Sequence, residues 1–329
     1  MNLSVLLIWV LRLISVGLAC YECVLGPIYN SANPGAALPL LSGEMSGVGV
    51  LALIFAAMTF TSSEKRFWAL FFWFWPLVAL YACVIAPGHG WWFPGKALSS
   101  IGHQIDGLFY LILIIVAVTF VATEFALGYA LWKSANRNDS DKVWFSHGSH
   151  RLEILWTIAP AFILVFISMA QLDVVADIRV LNRFPEDTQG GAAAEVMARQ
   201  FEWRIRYPKP GTSLATTPQP GDLYYVNELH VPATIPTMVN LRTQDVQHSF
   251  FIPRLRVKQD AVPGLIIPVW FDAEEAGEYE LLCAELCGWG HYKMKARIIA
   301  ETPESVAAYM EQLQAEQNED GVNEENSEE

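Results

Sequence analysis

The sequence predicts a membrane-α plus all-β chain: about five transmembrane helices followed by a β-sandwich or Greek-key domain. Three observations carry that prediction. The first half is apolar and aromatic, in stretches close to the roughly 20 residues that cross a bilayer. From about Ala193 the pattern changes to short alternating runs broken by Pro and Gly, as strands and turns require. Charge is segregated, with the excess acid mostly after Asp173 and no Lys or Arg beyond Arg297. A 329-residue chain that is 53% hydrophobic, with positive mean hydropathy, has room for more than one region, at least one of them in a membrane.

Taken in order, the spanning segments fall near Leu3–Cys23, Ser46–Phe60, Phe67–Ile85, Leu108–Leu131 and Ile154–Leu172, the second being the shortest. Lys65 and Arg66 lie between segments two and three; Lys133, Arg137, Lys142 and Arg151 lie between four and five. The loops at 24–45 and 86–104 hold only Lys96. Basic loops stay inside, so the amino terminus is expected in the cytoplasm and everything after segment five outside. Trp91, Trp92, Phe93 and Pro94 mark the outer interface as an aromatic belt. Arg12 and Glu124 are ionisable residues in apolar helices, at similar depth, and are expected to pair.

The expected strands are Ala198–Tyr207, Tyr224–Val231, Thr237–Arg242, Ser249–Lys258, Ile266–Phe271, Tyr279–Cys283 and Lys295–Ala300. Pro303–Gln317 reads as a surface helix, and the acidic tail to Glu329 as a solvated end. The implied division is 1–99, an added membrane region; 100–176, a two-helix hairpin; 177–302, the β-domain; and 303–329, helix and tail.

A net charge of −13 argues against nucleic acid and suits long-range attraction of a basic partner. Five cysteines are too few for a disulfide framework. Cys20, Cys23 and Cys83 lie in or beside apolar helices, where buried thiols are the default. Gly17-Leu-Ala-Cys20 is a poor lipidation motif and the start is expected to be retained. No Cys-x-x-Cys-His occurs, so no covalent haem is expected on this chain.

Chemistry concentrates in Cys283-Ala-Glu-Leu-Cys287-Gly-Trp-Gly-His291-Tyr-Lys-Met294. Two thiols, an imidazole and a thioether form a soft donor set that selects copper over oxygen-seeking cations. A mononuclear blue-copper site needs a single Cys; two bridging thiolates can hold two ions, each with its own His. His248 is the natural second imidazole. A Cys-x3-Cys pair on the oxidising side of a membrane can also be a disulfide, but that leaves the spacing of His291 and Met294 unexplained.

This run resembles the dinuclear copper loop of cytochrome c oxidase subunit II at every ligand position. Asp245-Val-Gln-His248-Ser-Phe-Phe-Ile-Pro, Lys258-Gln-Asp260-Ala-Val-Pro263-Gly264, Ser100-Ile-Gly-His103-Gln-Ile-Asp106 and His147–Thr157 resemble the same family. The resemblance implies a cupredoxin fold, with Cys283 and Cys287 bridging two coppers and His248 and His291 as terminal ligands. Met294 and the Glu285 carbonyl would be weak axial ligands, and the Glu285 carboxylate would reach a magnesium shared with the catalytic subunit. Glu153 falls where the family places a carboxylate at a proton-uptake path; otherwise it is a first-turn acid favourable to the helix dipole.

The implied function is the electron-accepting subunit of a haem-copper oxidase. It would take electrons from a c-type cytochrome and pass them to haem in subunit I, with subunit III a further partner, for proton-pumping oxygen reduction in a respiratory, bacterial plasma membrane. Gln200-Phe201-Glu202-Trp203 departs from the family's Gln-Trp-aromatic-Trp: Phe201 stands where electrons usually come in. Trp203 and Trp289 are the remaining aromatic candidates for that role. Two alternatives stay open: a copper-bearing subunit of a nitric oxide reductase, and a non-catalytic membrane-anchored cupredoxin.

Overall fold

The computed structural model describes residues 3–20, 45–60, 64–88, 90–91, 93, 95–137, 145 and 147–319. Cys23, Trp92, Pro94, Lys142, the 24–44 loop and the tail from Asp320 lie outside the described residues. The chain divides into two compact units, 1–92 with 111–154 and 93–110 with 155–329.

The first unit begins with helices α1 (Leu3–Cys20), α2 (Met45–Phe60) and α3 (Glu64–Ile85); α4 (Ser100–Ala135) and α5 (His150–Arg179) run through both units. Backbone groups in a bilayer must be satisfied within the segment, and a helix does so. Among the described residues three helical spans are long and apolar enough to cross a membrane, Arg66–Ile85, Ser100–Ala135 and His150–Arg179; Val5–Gly17 and Leu51–Phe60 are shorter. Aromatic rings fasten the added helices together: Phe55 of α2 lies 4.8 Å from Phe74 and 5.9 Å from Phe67 of α3, centroid to centroid.

The helix α3 is in turn fixed to α4. The Trp73 indole N–H donates to the Phe125 carbonyl at 3.1 Å, and Gly128 leaves the space the indole fills, since a Cβ there would lie 2.4 Å from it. The expected pairing of Arg12 with Glu124 is not found among the described residues. Arg12 donates instead to the Thr59 carbonyl and sits over the rings of Trp9, Phe60 and Phe67 at 5.2, 5.5 and 5.4 Å. A carbonyl and three aromatic faces thus meet the guanidinium.

The second unit is a β-sandwich. Its strands are β1 (Ala194–Arg199), β2 (Glu202–Tyr207), β3 (Leu223–Val226), β4 (Glu228–Pro232), β5 (Thr237–Thr243), β6 (His248–Ile252), β7 (Val257–Ala261), β8 (Ile267–Phe271), β9 (Gly277–Cys283) and β10 (Lys295–Glu301). They form two five-stranded sheets, ordered β3-β2-β1-β5-β8 and β4-β10-β9-β6-β7. Trp203, Ile205, Leu223, Leu241, Phe250 and Leu281, all fully buried, fill the space between them. The helix α6 (Pro303–Glu319) packs on the outside, its Gln317 amide bonded to both the N–H and the carbonyl of Tyr224.

Three single strands expected from the sequence are each two. Ala198–Tyr207 turns at Gln200-Phe201, so that Arg199 pairs with Glu202 across a hairpin. Tyr224–Val231 breaks at Asn227, which adopts φ +60°, a conformation Asn tolerates better than most residues. Its side-chain oxygen accepts from the Trp203 backbone N–H at 2.8 Å, and the chain passes there from one sheet to the other. Ser249–Lys258 is interrupted by the 3-10 turn Pro253–Leu255, because Pro has no N–H to give to a ladder and Arg256 closes the turn at φ +58°.

Candidate metal centre

Three chain segments converge at one end of the second sheet. His248 opens β6, Cys283 closes β9, and Met294 immediately precedes β10. Register makes them neighbours: Phe250 pairs with Cys283 across β6 and β9, and Leu282 with Lys295 across β9 and β10. The intervening loop is held by its own backbone. The Cys283 N–H donates to Met294 O at 3.2 Å, Ala284 N–H to Ser249 O at 3.0 Å, and His291 N–H to Gly288 O at 3.1 Å.

The two sulfurs stand 3.8 Å apart. That is well beyond the roughly 2.05 Å of a disulfide, yet close enough for one ion with metal–sulfur bonds near 2.3 Å to touch both. His248 Nδ1 lies 3.8 Å from Cys283 Sγ, and His291 Nδ1 lies 3.7 Å from Cys287 Sγ. The Met294 sulfur is 3.9 Å from Cys287, and the Glu285 carbonyl oxygen 3.3 Å from Cys283. His248, Cys283 and Cys287 place their donor atoms within 4.8 Å of one another. All six donors expected from the sequence are therefore gathered, one imidazole beside each sulfur. Sulfur and imidazole donors in this proportion fit copper.

Behind these donors is a fixing layer. His248 Nε2 meets Asp245 Oδ1 at 2.8 Å, which leaves Nδ1 for the sulfur side, the usual arrangement behind a ligating imidazole. Asp245 also accepts from the backbone N–H groups of Gln200 and Val246. The Gln200 side chain then reaches across and donates to the Cys287 carbonyl at 2.6 Å. Gln200 thus ties the His248 side of the site to the cysteine loop. The sequence shows Gln200 only as the start of the Gln-Phe-Glu-Trp segment, with no sign of this contact; Asp245 is legible as an acid three residues before a histidine.

The same contacts set the charges. Burial raises the Asp245 carboxyl, but His248 and the two N–H donors outweigh it and hold the group below its ordinary range. Burial lowers His248, and the neighbouring Cys283 and Asp245 more than restore it, leaving it raised. Burial likewise pushes Cys283 up, yet hydrogen bonds from His248 and the backbone bring it down to about 6. Burial and the charge on Cys283 push Cys287 up to about 12. The two thiols are coupled, so the first negative charge belongs to both sulfurs jointly.

Above the thiols the surface is apolar and open: Leu286 is 78% exposed, Trp289 76% and Tyr292 76%. The Trp289 ring lies 5.2 Å from Phe201, edge to face, with the Lys293 ammonium 4.7 Å over its centre. Gly290 permits this, since a Cβ there would come within 2.4 Å of the Phe201 ring. Trp203, in contrast, is completely buried, 6.3 Å from the His248 ring. Glu153 sits in the first turn of α5, exposed, 3.7 Å from His150 Nδ1.

Residues 212–301 match the family model described as cytochrome C oxidase subunit II, periplasmic domain, and residues 90–174 match cytochrome C oxidase subunit II, transmembrane domain. The cytochrome c oxidase subunit 2 of Cereibacter sphaeroides is 30% identical over 237 residues, covering 64% of this chain and 75% of that one. An alternative cytochrome c oxidase subunit 2 of Bradyrhizobium diazoefficiens is 32% identical over 152 residues, covering 40% of this chain; the match spans 55% of that relative's length. The crystal structure of the periplasmic domain of subunit II of cytochrome oxidase of Bradyrhizobium japonicum is 25% identical, covers 37% of this chain and 93% of its own, and has a TM-score of 0.33.

Proposed function

Because the chain belongs to the cytochrome c oxidase subunit II family, a membrane protein with an outer-side copper-type domain and part of a haem-copper oxidase, we propose that it is the electron-accepting subunit, with a dinuclear copper centre. The observation that carries this is the paired set of donors, each sulfur with its own imidazole Nδ1 at 3.7 or 3.8 Å. Two copper ions bound there would supply one-electron redox chemistry at a shared site. Cys283 and Cys287, with His248 and His291, would hold the ions, and Met294 with the Glu285 carbonyl would complete the donor set. Asp245 fixes the tautomer of His248, and Gln200 fixes the loop, so that the donor atoms have little to rearrange when charge changes.

The route inward follows from exposure. A c-type cytochrome docks on the apolar rim of Leu286, Trp289 and Tyr292, with Trp289 as first contact and Phe201 behind it. Trp203 supports His248 from the core instead. Electrons then pass to haem in the catalytic subunit, where oxygen is reduced to water with proton pumping. Glu153, exposed at the opposite end of α5 from the β-domain, takes protons from the inner aqueous phase. The Glu285 carboxylate is assigned to a magnesium at the border with the catalytic subunit. The chain divides functionally in four, at 99, 176 and 302.

The direct test is copper content and electron paramagnetic resonance of the full chain in detergent. Two coppers per chain sharing one unpaired electron is the expected result; one copper with a mononuclear spectrum rejects the dinuclear assignment. Oxygen against nitric oxide consumption by the assembled complex decides the terminal substrate. Trp289→Phe is expected to slow reduction by the cytochrome about tenfold or more while leaving the copper spectrum as it was. Equal kinetics in the variant would move the electron path elsewhere.

A further inference from the structure

A cavity of about 220 Å³ opens in the second unit where α4 begins, α5 ends and β7 and β8 meet them. Ile101, Ile105, Val175, Ile178 and Trp270 make its apolar wall. Its polar lining includes Arg179, Arg256 and Lys258, and no carboxylate, in a chain of net charge −13.

The three cations are not equivalent. Asp106 neutralises Arg256 with both oxygens, at 2.8 and 3.1 Å from its guanidinium, and the Pro253 and Gly95 carbonyls accept from the rest of it. Lys258 is half exposed and 3.5 Å from Asp260. Arg179 is the last residue of α5, exposed, with no ion-pair partner among the described residues. Two incompletely neutralised cations therefore face an apolar wall, beside the first turns of α4 and the last turn of α5.

We propose that this cavity binds an anionic phospholipid of the outer leaflet, its phosphate on Arg179 and Lys258 and its glycerol end against Ile101, Ile105, Val175 and Ile178. Basic pockets beside membrane helices recognise anionic headgroups in this way. Each cation near an anionic lipid is worth roughly 1 kcal/mol, so the pair accounts for about a tenfold or greater preference over a zwitterionic lipid. The volume suits a headgroup and glycerol rather than whole acyl chains, which would run along the exposed apolar faces of α4 and α5. A free phosphate shares the headgroup chemistry but leaves the apolar wall uncovered.

The test is native mass spectrometry of the full chain in mild detergent, titrated with phosphatidylglycerol and with phosphatidylcholine. Phosphatidylglycerol should be retained at about tenfold lower concentration, and millimolar inorganic phosphate should not displace it. Arg179→Gln with Lys258→Gln should remove most of that preference. Ile105→Trp, which keeps both charges but fills the cavity, should weaken phosphatidylglycerol retention as well, with circular dichroism confirming the fold of each variant. Equal retention of the two lipids, displacement by inorganic phosphate, or an unchanged preference in the variants would overturn the proposal. So would a double variant that keeps its lipid preference but no longer co-purifies with its partner subunits, because the cavity would then belong to a polypeptide.

Discussion

Cys287→Ser should be the most damaging single substitution in this protein, and more damaging than Cys283→Ser. The asymmetry comes from the neighbours of each sulfur. Cys287 lies beside His291 and Met294 as well as Cys283, whereas Cys283 lies beside His248 and the Glu285 carbonyl. Removing Cys283 leaves the Cys287 thiolate with His291 and Met294 beside it and a His248 ring nitrogen within 4.8 Å, together the two imidazoles, thiolate and thioether of a mononuclear copper site. Removing Cys287 leaves a thiolate and an imidazole on one side, with His291 and Met294 facing a hard oxygen. The loss of even a supporting hydrogen bond behind a metal ligand typically lowers affinity about 10- to 100-fold, and a bridging thiolate matters more. Cys287→Ser should therefore retain almost no copper and oxidise cytochrome at least about a hundredfold more slowly. Cys283→Ser should retain about one copper per chain with a mononuclear resonance spectrum. Equal copper content in the two variants would mean that the sulfurs are interchangeable and that the Met294 contact contributes nothing.

The largest effect on stability is expected far from the thiols, at Arg206 of β2. Its guanidinium is buried between Glu195 and Asp222, at 3.1 and 2.6 Å, and all three side chains are almost fully enclosed. It also donates to the Ala215 carbonyl at 2.9 Å, pinning the loop that leads to β3. Burial alone would lower its pKa, but the two carboxylates raise it, so the group stays charged. Arg206→Ala leaves buried Asp222 without a counter-charge and Glu195 with only the partly exposed Arg242 at 3.5 Å, and breaking a buried pair in this way typically costs about 3–5 kcal/mol. Denaturant unfolding of the chain should show a loss of that size in the β-domain transition. Replacing Arg206, Glu195 and Asp222 together by Met, Leu and Leu should recover most of it, since a well-packed apolar cluster removes the desolvation penalty along with the attraction. A loss under about 1 kcal/mol for the single variant would show that water reaches the carboxylates.

The donor loop was legible because its chemistry is compressed into twelve residues, and residue type with spacing is all that a sequence displays directly. His248 was legible from the motif around it. The helices were legible from apolar length, and β5, β8, β9 and β10 from alternation. What alternation could not show is where a strand is cut without changing its pattern. Asn227 interrupts an apolar run by backbone conformation, and Pro253 by its missing N–H, and hydrophobic period records neither. Gln200 escaped for a different reason: its function lies in reaching a carbonyl 87 residues away, which only the folded chain brings near. The departure at Phe201 was visible, but the exposure of Trp289 that gives it meaning is a property of the loop as folded.

The break at Asn227 makes residues 223–232 one run of chain hydrogen-bonded first to β2 and then to β10. Neither sheet can peel open without pulling on the other, so the barrier to local opening is shared across the whole β-domain rather than divided between two halves. The donor loop sits at the end of one sheet, so its opening is expected to be coupled to both. Hydrogen exchange around the thiols should then be slow and track the global fold, so that the donor site inherits the rigidity of strands that never touch it.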